Sequence, residues 1–433
     1  MTRAELGIAV VMDHPAQHFV SAFQLLAAEP GLRVHVYYGS VSKRISDPGF
    51  ATTLSWDIDL LECYPWSAPP SSRTAAWLTG ELRAARPDVV LCFGWASPIA
   101  RTAIGYCLLT RLPLLMYGDT TWQHASSGRN RLARSAALHV LLRRCAGAVS
   151  TGTFNREFYI RYGMDPRRIW PGVCPADTDT FAAARAERQP GTDGELRIGF
   201  AGKLVTRKGV DELLRAAALL PAERAWSVTV VGDGPMLPRL RALTAELGLI
   251  DRVVFRGFAN TTEMPKVLAG FDVVVVPSRL DMRVLVTIEA MAAGAALIVS
   301  DATAVWGPGD LVEHGITGLV YRSGEPSMLA EQIKRLLGDP MLLHRLQYDG
   351  AQRSARFGPG AFAQTTRDAV REAVGRLAGA NGLWAAASSA VTPCRLRRVH
   401  RMGRGRRGGA VAHGVIAEHP GDRRAEQEDC CRE

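Results

Sequence analysis

The chain has 433 residues, of which 47% are hydrophobic and 22% charged, and its formal net charge is +10. The length exceeds that of one ordinary domain, and the apolar content excludes a fully disordered chain. The positive charge favours anionic partners: phosphate-bearing substrates, an anionic membrane surface or nucleic acid. Because all but five of the 52 basic residues are arginine, we give more weight to the rare lysines than to the arginines.

The eight cysteines show no Cys-x-x-Cys spacing, and most lie in apolar runs, as packed free thiols do. This pattern indicates a reducing cytoplasm. The apolar run between Leu6 and Met12 is too short for a signal peptide and predicts a first strand. No run reaches the ~18 apolar residues of a membrane span.

In the first half, strand-like runs alternate with helical patterns. Strands are predicted over 6–12, 33–39, 88–94, 112–118 and 147–150, and helices over 18–28, 74–85, 98–110 and 154–162. Such alternation is typical of parallel strands joined by helical crossovers. It predicts a Rossmann-like domain over residues 1–170.

Residues 171–195 are rich in proline and glycine and predict an interdomain linker. The alternation then resumes, with strands over 196–202, 226–232, 252–257, 272–278 and 296–300 and helices over 210–220, 236–247, 262–269 and 284–293. We therefore predict an α/β chain with a second Rossmann-like domain over 196–350, followed by a helical segment over 351–378. Ligands should bind in the cleft between the domains, beyond the carboxyl ends of the strands.

Residues 379–433 have no apolar periodicity and contain an arginine-rich stretch. This composition predicts a disordered tail. The tail is either a nonfunctional or frame-shifted extension, or a segment that binds anionic lipid or nucleic acid.

The run from Phe200 to Gly209 (FAGKLVTRKG) lies between a predicted strand and a predicted helix. Its backbone N–H groups and the positive end of the helix would face the cleft, and Lys203 and Lys208 add two cations. This arrangement suits a diphosphate, although an ordinary surface turn has the same pattern. The Gly232-Asp233-Gly234 turn lets backbone approach a ligand closely, as many tight turns after a strand do.

Two carboxylates follow the predicted strand at 272–278. Asp281 stands just after its end, and Glu289 lies eight positions later in an otherwise apolar helix. A buried carboxylate is costly unless it finds hydrogen-bond donors. Two vicinal ribose hydroxyls would satisfy Glu289, and a neighbouring backbone N–H is the alternative; Asp281 would reach the hydroxyls of a sugar.

From Leu196 to Asp339 the order of these motifs resembles the retaining family 4 glycosyltransferases of GT-B fold. The matching segments are Gly202-Lys-Leu with Lys208-Gly, Val231-Gly-Asp-Gly-Pro, Pro277-Ser with Asp281 and Glu289-Ala-Met-Ala, and His314-Gly-Ile-Thr-Gly-Leu-Val. The resemblance implies that Lys203 and Lys208 hold the donor diphosphate, Glu289 the ribose and Asp281 the transferred sugar. It implies that the Gly232–Gly234 turn lies near the nucleotide and that no metal or other cofactor is required.

The sequence departs from the family pattern at two places. Asp281 stands where the family usually has Glu, and Arg283-Val284 stand where it usually has Phe-Gly. Arg283 would supply a compensating charge to the donor, and the choice of donor would shift with these residues.

Candidates in the first half lie near the ends of predicted strands. His14, Gln17 and His18 follow the first strand and are candidates for acceptor contacts, although a lone histidine is more often structural. Trp95 either stacks on a sugar or packs in the core. By resemblance, a cleft histidine contacts the donor sugar, and His124 is the first candidate, with Asp119 second.

The segment Arg129–Arg144 is basic and partly apolar, so it is either a solvated helix face or, as in the resembling family, a surface that touches anionic membrane. Two Asp-x-Asp pairs, Asp57 with Asp59 and Asp177 with Asp179, have the spacing of a metal site in another glycosyltransferase fold. We expect both pairs to lie outside the cleft and to bind no metal.

The resemblance implies a glycosyltransferase of hexosyltransferase type. It would move a sugar from a nucleotide-diphosphate donor to a hydroxyl acceptor, including lipid-linked acceptors, in the cytoplasm or at the inner face of the membrane. Synthesis of cell-surface polysaccharide, glycolipid or lipid-linked oligosaccharide is the implied setting. The alternatives are a nucleotide-sugar epimerase of the same fold and, through the basic tail, a nucleic-acid-binding protein. We expect no specific nucleic-acid partner, because the arginine excess is typical of a GC-rich coding sequence.

Overall fold

The computed structural model describes residues 5–41, 44–45, 54–55, 57–70, 73–121, 131–187, 194–282 and 284–389. Residues up to Gly382 form one compact unit, which contains two large parallel sheets. We call the parts built on them the first and the second lobe.

The strands of the first lobe alternate with helices, as predicted. They are β1 Leu6–Met12, β2 Leu32–Tyr38, β3 Arg44–Ile45, β4 Leu54–Ser55, β5 Trp66–Ser67, β6 Val89–Phe93, β7 Leu114–Tyr117, β8 Gly147–Ser150 and β9 Ile169–Pro171. The sheet order is β5-β2-β1-β6-β7-β8-β9, all parallel, while β3 and β4 form a separate antiparallel pair. Val10 of β1 stands opposite Val36 and Leu91 of its neighbours, so the sheet centre is apolar on both faces.

The helices of the first lobe are α1 Val20–Ala28, α2 Thr74–Ala85, α3 Pro98–Thr110, α4 Arg131–Arg144 and α5 Thr153–Arg161. A short 3-10 turn, Gln17–Phe19, precedes α1. Ser97 caps α3 by accepting from the Ala100 N–H at 3.3 Å, and Pro98 occupies the first turn, where its missing N–H costs nothing. The boundaries of α1, α2, α3 and α5 agree with the predicted ones to within a few residues, whereas no bounds were predicted for α4.

The second lobe repeats the plan. Its strands are β10 Leu196–Ala201, β11 Trp226–Val231, β12 Val253–Gly257, β13 Val273–Val276, β14 Ala296–Ser300 and β15 Leu319–Tyr321. Its helices are α6 Thr178–Ala186, α7 Val210–Ala217, α8 Leu237–Glu246, α9 Met264–Ala269, α10 Leu285–Ala292, α11 Pro326–Gly338 and α12 Pro340–Ser354. The sheet order is β12-β11-β10-β13-β14-β15, all parallel, and all four valines of β13 are buried. The predicted fold class, two doubly wound α/β lobes, is confirmed.

The predicted linker over 171–195 is mostly part of the lobes. Pro171 ends an edge strand of the first sheet, and Val173 belongs to the core of the first lobe. Cys174 and Phe181 already belong to the core of the second lobe, because α6 packs on α9 and α10. The chain therefore crosses between the lobes within a few residues, and Pro171 and Pro175 belong to the lobes rather than to a linker. Residues 188–193 of the predicted linker lie outside the described residues.

The chain crosses back at Ser354–Gly358. Ala176 N–H donates to the Phe357 carbonyl at 3.2 Å, so the two crossings run side by side. The last helix, α13 Pro359–Ser389, then packs Phe362 and Val370 into the core of the first lobe. It runs past residue 379, where the tail was expected to begin; residues 390–433 lie outside the described residues.

The cysteines that the structure describes are free thiols: Cys63, Cys92, Cys107, Cys145 and Cys174. Burial raises the pKa of Cys92 far above its usual range and that of Cys107 and Cys145 to about 12. Such thiols stay protonated at neutral pH and act as small apolar side chains, as their positions in apolar runs indicate.

Candidate functional site

A cavity of about 560 Å³ lies between the two lobes, at the carboxyl ends of β10 and β11. Five of the predicted site residues line it. Gln17 and His18 come from the first lobe, and Gly202, Gly232 and Glu289 come from the second. Residues of the two lobes, more than 180 positions apart in the sequence, thus meet in one cavity, where the topology of facing doubly wound sheets places ligands.

Glu289 reaches the cavity from α10. Its neighbours on this helix, Ile288 and Ala290, are buried, and among the described residues no group donates a hydrogen bond to its carboxyl. Burial raises the pKa of Glu289 to about 7. The predicted alternative, a carboxylate satisfied by a nearby backbone N–H, does not occur in this arrangement, so the acceptor capacity of Glu289 remains open toward the cavity.

Lys208 and Asp281 form an ion pair at the edge of this region, outside the residues that line the cavity. Asp281 is 7% exposed, and its Oδ2 also accepts from the Ser278 hydroxyl at 3.3 Å, while the Arg207 guanidinium lies 3.9 Å from Oδ1. Lys208 ends the loop that enters α7, and Asp281 follows the end of β13. The side chain of Asp281, which is shorter than the Glu usual in the resembling family, is therefore held by Lys208 and Ser278.

The glycines of the second lobe allow two loops to interlock. At Gly232 (φ +137°) a Cβ atom would lie 1.9 Å from the Gly202 carbonyl oxygen, and at Gly234 (φ +156°) it would lie 2.6 Å from the Leu204 carbonyl oxygen. Leu204 N–H donates to the Asp233 carbonyl at 2.9 Å. The expectation was close approach of backbone to a ligand; the structure shows close approach of backbone to backbone, which fixes the edge of the cavity.

Lys203 follows Gly202 on the same loop and is half-buried. Asp233 accepts from the Gly234 N–H through its side chain at 2.7 Å, which stabilises the turn. Both residues lie beside the cavity and outside its lining.

The remaining first-lobe candidates that the structure describes do not line the cavity. His14 is exposed and lies 3.5 Å from the Asp13 carboxylate. Trp95 packs against the core of the first lobe, in agreement with its packing alternative, and Asp119 is half-buried after β7. His124, Arg283 and Arg129 lie outside the described residues.

The lobes contact each other at the mouth of the cavity. Thr261 Oγ1 lies 3.2 Å from the Gln17 amide oxygen, and the Thr262 hydroxyl donates to Asp57 Oδ2 at 2.5 Å. A second contact joins Asp310 of the second lobe to the first turn of α5, where Thr153 N–H donates to Asp310 Oδ2 at 2.9 Å. These contacts join the two lobes directly.

The expectation that both Asp-x-Asp pairs lie outside the cleft is wrong. Asp59 and Asp177 line the cavity, and Asp57 bridges to Thr262. The loop that carries Asp57 and Asp59 folds over the cleft, which a reading of strand ends alone does not reveal. Within the described ranges, no group of three or more His, Cys, Asp or Glu side chains is placed to hold a metal ion.

Sequence reasoning missed several residues of the cavity, and all lie on loops or helix faces rather than in motifs. The missed residues include Gln24, Ile58, Glu62, Phe258, Thr261 and Met264. Phe258 and Ala259 follow the end of β12. The expectation that ligands bind beyond the carboxyl ends of the strands would have identified both residues if it had been applied to every strand of the second sheet.

Helix α4 presents an unusual surface. Leu132 is 83% exposed and Val140 50% exposed, while Arg143 and Arg144 are exposed at its end. Leu109, at the end of α3, is 87% exposed. None of the helices in the described part of the chain is both long and apolar enough to cross a membrane.

Comparison with known proteins identifies the architecture. In structural comparison the chain is similar to HepE of Anabaena in complex with UDP (TM-score 0.65, 18% identity), with 85% of this chain and 100% of HepE covered. It is also similar to a glycosyltransferase from Rickettsia africae (TM-score 0.66, 15% identity), with 86% and 99% covered. The fold is GT-B.

Residues 184–353 match the family model of the glycosyl transferases group 1. This range includes every second-lobe element that borders the cavity, apart from most of α6. Two curated relatives come from Streptomyces kanamyceticus. The alpha-D-kanosaminyltransferase is 33% identical over 41% of this chain and 45% of its own length, and the 2-deoxystreptamine glucosyltransferase is 38% identical over 48% and 53%.

A third relative, the D-inositol 3-phosphate glycosyltransferase of Thermobispora bispora, is 32% identical over 53% of this chain and 56% of its own length. The chain thus spans about half the length of these curated relatives. The three relatives named here are transferases by name, and none of the three is an epimerase.

Proposed function

We propose that this protein is a retaining glycosyltransferase of family 4, which transfers a sugar from a nucleoside-diphosphate donor to a hydroxyl of an acceptor without a metal ion. The observation that carries the proposal is Glu289, a half-buried carboxylate to which no described group donates a hydrogen bond, facing a cavity between two GT-B lobes. A pair of vicinal ribose hydroxyls supplies the two donors that such a carboxylate needs.

The donor diphosphate would lie against the loop from Gly202 to Gly209. Negative charge grows on the leaving diphosphate as the glycosidic bond breaks, and Lys203, Lys208 and the first N–H groups of α7 would stabilise it. A preorganised cation is effective here because it needs no reorientation when the charge develops. Lys208 already stands fixed by Asp281, so the ion pair keeps its ammonium from turning toward solvent.

The leaving phosphate would accept the proton of the acceptor hydroxyl, which attacks from the same face and so retains the anomeric configuration. Gln17 and His18 would bind the acceptor, since they line the first-lobe wall of the cavity. His124 stays a candidate for contact with the donor sugar, as does Arg283 for the diphosphate.

A uridine-diphosphate hexose is the donor we propose to test first. HepE, of similar fold, has been solved with UDP-glucose. The relatives act on 2-deoxystreptamine and D-inositol 3-phosphate according to their names, so a hydroxyl-rich ring is the acceptor class we propose beside sugar and lipid-linked acceptors.

The α3–α4 surface, Leu109, Leu132, Val140, Arg143 and Arg144, would bring the protein to an anionic membrane. Exposed apolar side chains beside arginines are typical of peripheral membrane contacts. Sedimentation with vesicles of phosphatidylglycerol and phosphatidylcholine tests this part, with Leu132→Glu as the variant that should release the protein and Met341→Glu, an exposed site on α12, as the control.

A thermal-shift panel of nucleotide sugars identifies the donor, because a ligand that binds only the folded state raises the melting temperature. Incubation of the best donor with a panel of acceptors, followed by proton NMR of the product, determines both transfer and anomeric configuration. If the donor sugar is isomerised in the absence of an acceptor, the protein is an epimerase instead. If the product has the opposite anomeric configuration to the donor, the transferase is inverting rather than retaining.

A further inference from the structure

Arg279 joins the two segments that carry the Lys208–Asp281 ion pair. Its guanidinium donates to both carboxylate oxygens of Asp211, at 2.9 Å from Nη1 and 2.8 Å from Nη2. Nη1 also donates to the Thr206 carbonyl at 2.8 Å, and the Arg279 backbone N–H donates to the Arg207 carbonyl at 2.8 Å.

The residues that Arg279 contacts lie on both sides of Lys208 in the sequence. Thr206 and Arg207 immediately precede it, and Asp211 lies in the first turn of α7. Gly209 follows it at φ +69°, with the Pro277 carbonyl so close that a Cβ would lie 1.9 Å from its oxygen. The backbone of Lys208 is therefore held on both sides against the segment that follows β13.

A lysine ammonium is a point charge on a flexible stem, so its position depends on a fixed backbone and on its partner. Asp281 supplies the partner, and a bidentate guanidinium–carboxylate pair is among the most directional contacts available for fixing a backbone. Arg279 itself is not among the residues that line the cavity. Lys208 lies outside that lining as well, but it is the cation that we assign to the donor diphosphate, so Arg279 would act on a ligand through its hold on Lys208.

We propose that Arg279 is a positioning residue that sets the place of the Lys208 ammonium for the donor diphosphate. The proposal rests on the function proposed above. It predicts that loss of Arg279 weakens the binding of a diphosphate and slows the chemical step, beyond any change in stability.

The test uses the full chain with Arg279→Ala and Arg279→Lys. The matched control is Arg252→Ala in the same lobe, which loses contacts to the Ala222 and Arg224 carbonyls at 2.6 and 3.0 Å and a stack on Trp226 at 4.5 Å. Binding of inorganic pyrophosphate is measured by calorimetry. Release of UDP from UDP-glucose is measured per folded protein, with kcat and KM separated.

Arg279→Ala should weaken pyrophosphate binding about tenfold and lower kcat by up to about a hundredfold. Arg279→Lys should show a similar loss because it keeps the charge and loses the bidentate geometry. Millimolar guanidinium should restore part of the activity of Arg279→Ala and none in the control. Arg252→Ala should lower the melting temperature and leave pyrophosphate binding unchanged.

If the folded fraction of both Arg279 variants has the pyrophosphate affinity and the kcat of the wild type, Arg279 has no positioning role. The Lys208→Ala variant distinguishes a failure of the positioning role of Arg279 from a failure of the proposed function. If Lys208→Ala binds pyrophosphate as tightly as the wild type, the diphosphate site itself is wrong; if it loses binding while the Arg279 variants keep it, only the role of Arg279 fails.

Discussion

The Lys208 ammonium and the Asp281 carboxylate form an ion pair where the loop entering α7 meets the end of β13. Asp281 is buried, and Lys208 is mostly covered, so the pair is little screened by solvent. The pair places a fixed positive charge beside the loop that we assign to the donor diphosphate.

Lys208→Ala should lower kcat by about a hundredfold to a thousandfold, the usual loss when one preorganised stabilising group is removed. Lys334→Ala is the control, because Lys334 pairs with Glu331 on the exposed face of α11. Steady-state release of UDP from UDP-glucose measures the effect. Turnover of Lys208→Ala equal to that of Lys334→Ala would remove Lys208 from the mechanism.

Glu289 should make stability depend on pH between about 4.5 and 7. Its pKa is raised by burial, so the folded protein holds a proton that the unfolded chain releases. The free energy of unfolding therefore falls as pH rises through this window, by at most about 3 kcal/mol. Glu289→Gln should flatten this part of the profile and be more stable than the wild type at pH 8, as urea unfolding would show.

The affinity for the donor should show the opposite dependence on pH. The ionised carboxyl accepts from both ribose hydroxyls, so affinity for UDP-glucose should rise as pH increases toward 7 and then level off. The diphosphate of UDP-glucose does not titrate in this range, and His18 lines the same cavity as Glu289. Calorimetry of Glu289→Gln and His18→Gln separates the two; a pH profile unchanged in Glu289→Gln would contradict the assignment.

Gly232→Ala should destabilise the second lobe by about 3–5 kcal/mol, because it adds backbone strain and a clash with the Gly202 carbonyl oxygen. Gly248→Ala is the matched control: Gly248 also has positive φ (+68°), but nothing lies within 4 Å of the added methyl group. It should cost only about 1–2 kcal/mol. Equal losses in urea unfolding would mean that strain alone, not the interlocked loops, requires glycine at 232.

Asp310→Ala should loosen the contact between the lobes. Asp310 is 6% exposed and accepts from Thr153 N–H, at the first turn of α5, so its removal should cost about 1–2 kcal/mol. Hydrogen exchange at Thr153 and Asn155 should speed up. Asp165→Ala is the control, since Asp165 caps a 3-10 turn within the first lobe. Unchanged exchange in α5 would show that the contact does not hold the lobes.

Sequence by itself determined the architecture and most helix and strand positions. Val273–Val276 is a continuous apolar run, α7 has a strongly amphipathic pattern, and the alternation of such segments predicts parallel sheets. The motif order also pointed to Gly202, Gly232 and Glu289, because the carboxyl ends of adjacent parallel strands meet at one edge. Edge strands of two or three residues, such as β5 and β9, were missed because so short a run has no period.

Only the tertiary structure decided which groups meet. The partnership of Asp281 with Lys208, the bridge from Asp57 to Thr262 and the return of α13 to the first lobe join residues far apart in the chain. Such contacts depend on loop paths and on the packing of the two lobes, which local propensity does not encode. The linker was misplaced for the same reason: prolines and glycines mark a break in periodicity, whereas the core that Val173 and Cys174 enter is set by the fold as a whole.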